Sequence, residues 1–488
     1  MHLGIDLGTT RTVVAYADRG NYPVVTFTDS NGDIQEYFPS VIALDGEKLV
    51  AGFEAQALAE KGAPALKSLK RQFAREDLSV DDQVSLGGNS YSLLGLFSEY
   101  LKYLLTTLKT NSSISSLLRD EQIETVVAAV PAHAGSTQRF MTLEAFRSAG
   151  LPVTALLNEP SAAGFEYTHR KPKTITSKRT RVVVYDLGGG TFDASRIDVE
   201  DLNHTVMQTA GINNIGGDDF DEVLASLALK AAGNPELNDL QHRELITEAQ
   251  IAKEGLAPQS RRIAIEVACS DVVISAQDFY AAVEPLVAKT LDAMSPLLEN
   301  LDDVAGIYLV GGASSLPIVP RLLREKFGRR VQRSPYPSAS TAIGLAIAAE
   351  PQSGFALHDR VSRGFGVFRE GNDGSEVTFD PIFRRDEILE SGGLEKRRTY
   401  RPVHNIGKFR FVEYNRLENW QPVGDIRPFT NVAFPFIPGL QDGRALTDDV
   451  CRVGEQDTIE ELYRIDSNGI VSLQITDLST GYSQQYRL

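Results

Sequence analysis

Apolar and polar positions along the first 350 residues follow two periods. YSLLGLFSEYLKYLLTTLK (91–109) places Leu93, Leu94, Phe97, Leu101, Leu104, Leu105 and Leu108 at helical spacing. This predicts an amphipathic helix whose stripe packs into a core. Short apolar runs that end in turn residues predict buried strands. They are VVAAV (126–130) before Pro131, and the start of GIYLVGGASSLP (306–317), which runs into a Gly-Gly turn and a helix through Leu323. LGIDLGTTRTVVAYAD (3–18) reads as two strands about a Gly-Thr-Thr turn, and RVVVYDLGGGTFDASRID (181–198) repeats that plan. Both put Asp-Leu-Gly at the end of an apolar strand and threonine after glycine, the mark of an internal repeat.

After Ala349 the pattern changes to short alternating runs broken by Gly, Pro, Asn and Asp. KFRFVEY (408–414) puts Phe409 and Phe411 on one face. GIVSLQIT (469–476) alternates Val471, Leu473 and Ile475 with Ser472, Gln474 and Thr476, between the turn signals Ser467-Asn468-Gly469 and Ser479-Thr480-Gly481. Period-two alternation between turns predicts a small antiparallel β-sandwich. The expected division is an α/β domain over 1–350, a linker over 351–363 and a β-domain over 364–488.

The composition narrows the classes of function. A chain of 488 residues with 42% hydrophobic and 23% charged residues is that of a multidomain globular protein. A net charge of −16 repels polyanions and argues against bulk nucleic-acid binding. One segment runs against it: RKPKTITSKRTR (170–181) carries six basic residues in twelve. Without interleaved aromatics it reads as a solvated loop. Two distant cysteines, Cys269 and Cys451, give neither a disulfide framework nor a zinc site and suit a reducing compartment. The apolar run AIGLAIAA (342–349) is too short for a membrane span, and the motif starting at Gly4 leaves no room for a signal peptide. A cytoplasmic protein without a membrane partner is expected.

The repeated hairpins carry the candidate chemistry. Glycines let backbone N–H groups approach a phosphate, and a threonine hydroxyl adds a donor. An aspartate beside a phosphate is favourable only with a cation such as Mg²⁺ between them, the carboxylate holding metal-bound water. Asp6 with Gly8, Thr9 and Thr10 forms one jaw of such a clamp. Asp186 with Gly188, Gly189, Gly190 and Thr191 forms the other. By type alone, Lys70 is a solvated lysine, Glu159 before Pro160 a helix-capping residue, and His133 a structural histidine.

These motifs resemble those of the seventy-kilodalton heat-shock chaperones of DnaK type, within the superfamily of actin and hexokinase-like sugar kinases. The matching stretches are GIDLGTTRTVVAY (4–16), LKRQFAR (69–75), VVAAVPA (126–132), LLNEPSAAG (156–164), VVVYDLGGGTFDASRID (182–198), IGGDDFD (215–221), LVGGASSLP (309–317) and PSASTAIGLAIAA (337–349), in family order. The resemblance implies an actin-like duplicated ATPase domain, two lobes around a nucleotide cleft, followed by the small β-sandwich. It implies slow hydrolysis of ATP to ADP and phosphate with Mg²⁺. Asp6 and Asp186 would hold the ion through water. Gly8, Thr9, Thr10, Arg11, Gly188, Gly189, Gly190, Thr191 and Gly217 would surround the phosphates. Lys70 would reach the γ-phosphate, and Lys70, Glu159, Asp186 and Thr191 form the implied catalytic set. Glu159 would place the attacking water or couple the site to Pro131, at the family's switch proline, and to its partner Arg139. Gly311 and Gly312 would line the adenosine pocket, and Lys253 would reach the ribose.

The chain departs from the family pattern at several positions. Ser315 stands where an arginine stacks on adenine, Ser338 where an aspartate follows Asn-Pro, and Ala257 where a serine lies near the ribose. Ala155 replaces the arginine that docks a J-domain cochaperone, and the linker is reduced to Phe355-Ala356-Leu357-His358 before Asp359. The stretch 463–488 is similar to the last strands of the family's peptide-binding domain. The sequence ends where a helical lid would begin, so a lidless form is expected, and the strand near 386–391 lacks the family's loop proline. The leading expectation is an ATP-dependent chaperone that binds extended or unfolded polypeptide, with possible cochaperones. The alternatives are a nucleotide-bound scaffold for one dedicated partner, a small-molecule kinase, and an actin-like filament former.

Overall fold

The computed structural model describes residues 1–488 except Ala74, Glu76, Asp77, His133, Cys269, 372–375, Asp386, Glu390, Ser391, 429–431, 443–445, 447–448 and Leu488, and except the side chains of His358, Asp359 and Arg487. It is an α/β chain with mixed and antiparallel sheets. Its contacts divide it into two compact units, Met1–Ala132 with Met141–Leu357, and His133–Phe140 with His358–Leu488.

The first unit contains the same sheet twice. In one, strand β1 (His2–Leu7) pairs antiparallel with β2 (Arg11–Tyr16) and parallel with β3 (Thr125–Val130), which pairs parallel with β4 (Val153–Asn158). In the other, β5 (Arg181–Leu187) pairs antiparallel with β6 (Phe192–Glu200) and parallel with β8 (Val304–Val310), which pairs parallel with β9 (Val331–Arg333). Strand β7 (Asn203–Ile212) extends the second sheet antiparallel beyond β6, as Phe38–Pro39 extends the first beyond β2. In both, the Asp-Leu-Gly hairpin sits at the centre of the sheet, its first strand buried between neighbours. Sheets covered on both faces need continuous apolar strands. Residues Val182–Leu187 are buried in succession, as are Val126–Val130.

Helices cover these sheets as the periodicity predicts. The helix expected at 91–109 runs from Leu93 to Thr110, with Leu93, Phe97, Leu101, Leu104 and Leu108 buried and Leu94 and Leu105 half-buried. Ser92 caps it, accepting from the Gly95 N–H at 3.3 Å. AIGLAIAA, too short to span a membrane, is a core helix, Ser340–Ala349. Gly344 lets it cross the helix Glu159–Arg170 backbone to backbone: a Cβ there would lie 1.7 Å from the Ala162 carbonyl oxygen. The helix expected to follow the Gly-Gly turn begins only at Ile318, after a 3₁₀ turn over Gly312–Ser315, and continues past Leu323 to Phe327.

In the second unit two antiparallel sheets share one apolar core. One is built on β10 (Gly364–Gly371), β11 (Glu376–Phe383), β13 (Ile406–Glu418) and β14 (Gln421–Pro428); the other on β12 (Leu394–Tyr400), β16 (Ile459–Ile465), β17 (Val471–Asp477) and β18 (Ser483–Arg487). Val367, Phe365 and Phe411 from the first sheet join Tyr463, Leu473 and Ile475 from the second in that core. The expected alternation holds. Val471, Leu473 and Ile475 are buried in β17, and the rings of Phe409 and Phe411 stack 5.6 Å apart on β13.

Candidate functional site

Each Asp-Leu-Gly turn is held by its own scaffold. At the first, the Ser40 hydroxyl donates to the Gly8 carbonyl (2.9 Å) and the Ser40 N–H to the Thr10 carbonyl (3.0 Å). Ser40 Oγ lies 3.1 Å from Thr12 Oγ1, which also accepts from the buried Tyr100 hydroxyl at 2.6 Å. At the second, Gly188 N–H donates to Thr191 O (3.0 Å). The helix Gly217–Ala231 is pinned to this turn by Gly217 N–H to Gly188 O (2.9 Å) and Asp218 N–H to Gly189 O (2.8 Å). The two turns then meet. A Cβ on Gly189 would lie 3.1 Å from Thr10 Oγ1, and one on Gly190 3.0 Å from Thr9 Cγ2, so glycine is what allows this approach.

Between them lies a cavity of about 1250 Å³ lined by Asp6, Gly8, Thr9, Thr10 and Arg11 from one side and Asp186, Gly188, Gly189, Thr191 and Gly217 from the other. Lys70, Glu159, Lys253, Gly311 and Gly312 line it as well. Gly311 adopts a left-handed φ of 83°, and its missing side chain leaves room for Asp186 Oδ1. Gly190 is not part of the lining; it packs against Thr9 and Arg71. Pro131 is buried outside the lining. Arg139 belongs to the other compact unit, where it donates to the carbonyls of Ala134 (3.3 Å) and Asn468 (3.1 Å). His133, Asp386, Glu390 and Ser391 lie outside the described residues, and Ile388–Leu389, between Asp386 and Glu390, form a short strand.

Immediately around Lys70 the charges do not balance. Lys70 and Glu159 are both buried and in direct contact. Burial alone would favour the neutral amine, but the Glu159, Asp6 and Asp193 carboxylates hold the Lys70 ammonium protonated. Burial and Glu159 push Asp6 up to about 7 against the pull of Lys70. Asp193 rises to about 7 for the same reasons, against Lys70 and hydrogen bonds from Ala132 N–H (3.1 Å) and Thr191. Asp186 is raised well above the usual carboxylate range by burial, then by Glu159, Asp6 and Asp193. Four carboxylates thus surround one ammonium in a low-dielectric site, which is the donor set a divalent cation neutralises. Among the described residues no three chelating side chains converge on one point, so an ion here would keep water in its shell, as Mg²⁺ does.

At the far end of the cavity, Lys253 Nζ bonds the Asp221 carboxylate (2.6 Å) and the Gly217 carbonyl (2.8 Å). Arg11 reaches Glu254 at 2.6 Å, tying the first turn to the helix Asp239–Glu254. Ala257, Ser315 and Ser338, the positions that depart from the pattern, line this end.

A family model described as Hsp70 protein matches residues 97–373, more than half of the sequence. The chain belongs to the Hsp70 family. Curated relatives match nearly its full length. Chaperone protein HscA of Escherichia fergusonii is 28% identical over 98% of this chain and 76% of its own length. The HscA proteins of Enterobacter sp. strain 638 and of Escherichia coli K12 are 27% identical over the same shares. No helix among the described residues is long and apolar enough to cross a membrane.

Two groups of this Hsp70 site escape a reading of motifs. Asp193 pairs with Asp186 across the β5–β6 ladder, so both carboxylates leave the sheet on one face. The signal was the register: counting back through the Gly188–Thr191 turn places the two opposite each other. Arg71, beside Lys70, reaches Asp218 (3.6 Å) and Asp219 (3.4 Å) on the helix at the second turn. Only the folded cavity brings these together, because nearly 150 residues separate them.

Proposed function

We propose that this Hsp70-family chain is an ATP-dependent chaperone that hydrolyses ATP slowly. It would bind Mg-ATP over residues 1–350 and extended or unfolded polypeptide over 364–488, with 351–363 as the linker. What chiefly supports this reading is the pair of facing turns with Asp6 and Asp186 on one buried cavity around Lys70. In it, the backbone N–H groups and hydroxyls of Thr9, Thr10, Gly189 and Thr191 cradle the phosphates, and Asp6 and Asp186 hold the water shell of Mg²⁺. The ion supplies charge neutralisation between carboxylates and phosphates. The Lys70 ammonium faces the charge that develops on the transferred phosphoryl group. Glu159, held against Lys70, orients the attacking water. Gly311, Gly312 and Lys253 take the nucleoside.

The reading places the protein in the cytoplasm. With alanine at 155, docking of a J-domain cochaperone would not run through an arginine there. The test is single-turnover ATP hydrolysis with and without an unfolded peptide. A slow basal rate that rises with peptide is the expected result. Nucleotide bound but never cleaved, or phosphate transferred to a small molecule, would refute it.

A further inference from the structure

On the first unit a second cavity, of about 540 Å³, shares Arg333 with the lining of the larger one. Its rim carries His169, Arg170 and Lys171 from the end of the helix Glu159–Arg170, and Arg333 from the end of β9. Tyr22 and Ile343 are buried at its floor. On a chain of net charge −16, three cationic side chains and a histidine around one bowl are a local inversion of the protein's field.

Part of this basicity has a structural cause. Cations at the end of a helix complement its dipole, which accounts for Arg170 and Lys171. It does not account for Arg333, which arrives from a strand. Arg170 is also fixed in place. Its guanidinium pairs with the fully buried Glu166 and lies over the Tyr336 ring at 5.0 Å. Glu166 in turn accepts from Tyr308 OH at 2.6 Å and Ser334 OH at 3.3 Å. Of the acidic groups beside Tyr22 and Asn21, Glu350 is engaged by Tyr22 OH at 2.6 Å and Asp18 lies 3.7 Å from Arg19. Lys171 and Arg333 have no ion-pair partner among the described residues. The same holds for Lys173, Lys178 and Arg179, which continue the basic segment beyond the helix and are exposed.

The chemistry of the bowl selects among anions. A phosphate site gathers backbone N–H groups, as the nucleotide turns do, but the helix end here presents carbonyls. A nucleic-acid strand needs open aromatic faces. Here Tyr22 is buried with His169 edge-on to it (5.3 Å between centroids), and Tyr336, which is exposed and has Arg170 over its ring, lies outside the lining. Guanidinium and ammonium groups pair with carboxylates as with phosphates, but the methylene stems of carboxylate side chains also suit the Tyr22–Ile343 floor.

We propose that this bowl, with the basic segment that leads away from it, docks an acidic stretch of polypeptide. The site shares Arg333 with the lining of the larger cavity and is distinct from the proposed peptide-binding β-domain.

The probe is fluorescein-labelled decaglutamate, followed by anisotropy with the full chain at low and moderate salt. We expect one saturable site whose affinity falls with salt. It should weaken at least tenfold in Lys171→Glu/Arg333→Glu, and by a smaller factor in Lys171→Glu alone. Thermal melting checks that each variant is folded. Because Lys171 is exposed and unpaired, the single variant keeps the test valid should the double variant unfold. An apolar unfolded peptide should not displace the probe. Binding unchanged in folded charge-reversal variants would overturn the proposal, as would displacement by the apolar peptide. Tighter binding of a single-stranded oligonucleotide of equal charge would overturn it in favour of a nucleic-acid surface.

Discussion

Two ionic clusters, each built on a buried carboxylate and one in each unit, behave in opposite ways. In the second unit Glu461, fully buried, accepts from Arg369 (2.6 Å) and from the hydroxyls of Tyr400 (2.7 Å) and Tyr463 (2.5 Å). Asp380 accepts from Arg369 (2.8 Å) and from Arg398 (3.0 Å). Two guanidiniums face two carboxylates, and although burial opposes it, the bonds from Arg398 and Arg369 keep Asp380 below its usual range. In the first unit four carboxylates share Lys70, and three of them are pushed upward. A buried carboxylate is common to both clusters, so burial of a carboxylate alone cannot be what marks a binding site. The imbalance is: a closed network stabilises a fold, and an open one holds a place for a charge the chain does not supply.

The sharpest way to break this comparison is to unbalance the closed network. Glu461→Ala leaves Arg369 with Asp380 alone and two tyrosine hydroxyls without their acceptor. Removing one partner of a buried pair costs about 3–5 kcal/mol. Urea unfolding of the full chain should show a loss of that size in the transition of the second unit. A loss below about 1 kcal/mol would mean that the network contributes little. The converse experiment removes the one cation of the open cluster. Lys70→Ala should retain nucleotide binding, because the turns and the metal carry it. Single-turnover hydrolysis should fall by about 10²–10³, the range for deleting a group that stabilises transition-state charge. Unchanged turnover would remove Lys70 from the mechanism.

A third buried titratable group sits between these extremes. His204, on β7, is fully buried, with Thr168 Oγ1 2.8 Å from Nε2 and the Leu202 carbonyl 3.2 Å from Nδ1. The rings of Phe165 and Phe355 pack on it at 4.7 and 5.6 Å. Burial lowers its pKa to about 4 against the pull of the Leu202 carbonyl. The unfolded chain takes up this proton near 6.5 and the folded chain only near 4. The stability His204 confers is therefore complete above pH 6.5 and is lost as pH falls towards 4. The full loss is about 3 kcal/mol. Urea unfolding at pH 7.5 and 4.5 should show most of it, and His204→Gln should flatten the difference over that window. An equal pH dependence in the variant would assign the loss to other groups.

His204 also shows where the sequence stops being legible. Both clamp turns, the core helix at 93–110 and the alternation of β17 could be read directly, because each depends on neighbours within about ten residues. Phe355 reads as the start of a shortened linker. In the fold it packs 5.4 Å from Phe165, and the next residue, Ala356, donates its N–H to the Leu202 carbonyl at the start of a strand, Ala356–Arg360. No pattern within 351–363 announces this, since its partners lie 150 to 190 residues earlier. Asp193 was hidden for a different reason: its neighbours were in view, but its role depends on ladder register. Segment 133–140, which clusters with the second unit, was hidden because nothing local distinguishes it from the residues before it.

The smallest expected effect concerns the nucleoside end of the open cavity. The phosphate end is rich in unbalanced charge, whereas Ser315 brings no cation to the nucleoside end. Affinity should therefore come mainly from the phosphates and the ion, with weak discrimination among bases. Ser315→Arg would add a guanidinium able to stack on a base, worth about 0.5–2 kcal/mol, or up to about thirtyfold in affinity. Purines offer the larger stacking surface, so the gain should be greater for ATP than for CTP in competition binding. The comparison also predicts how the two ends combine. Because the substitution acts on the base and leaves the four-carboxylate cluster untouched, its gain should be the same with and without Mg²⁺. A gain that appears only with the ion would mean that the two ends of the cavity are coupled, and that the charge imbalance reaches further than the phosphate turns.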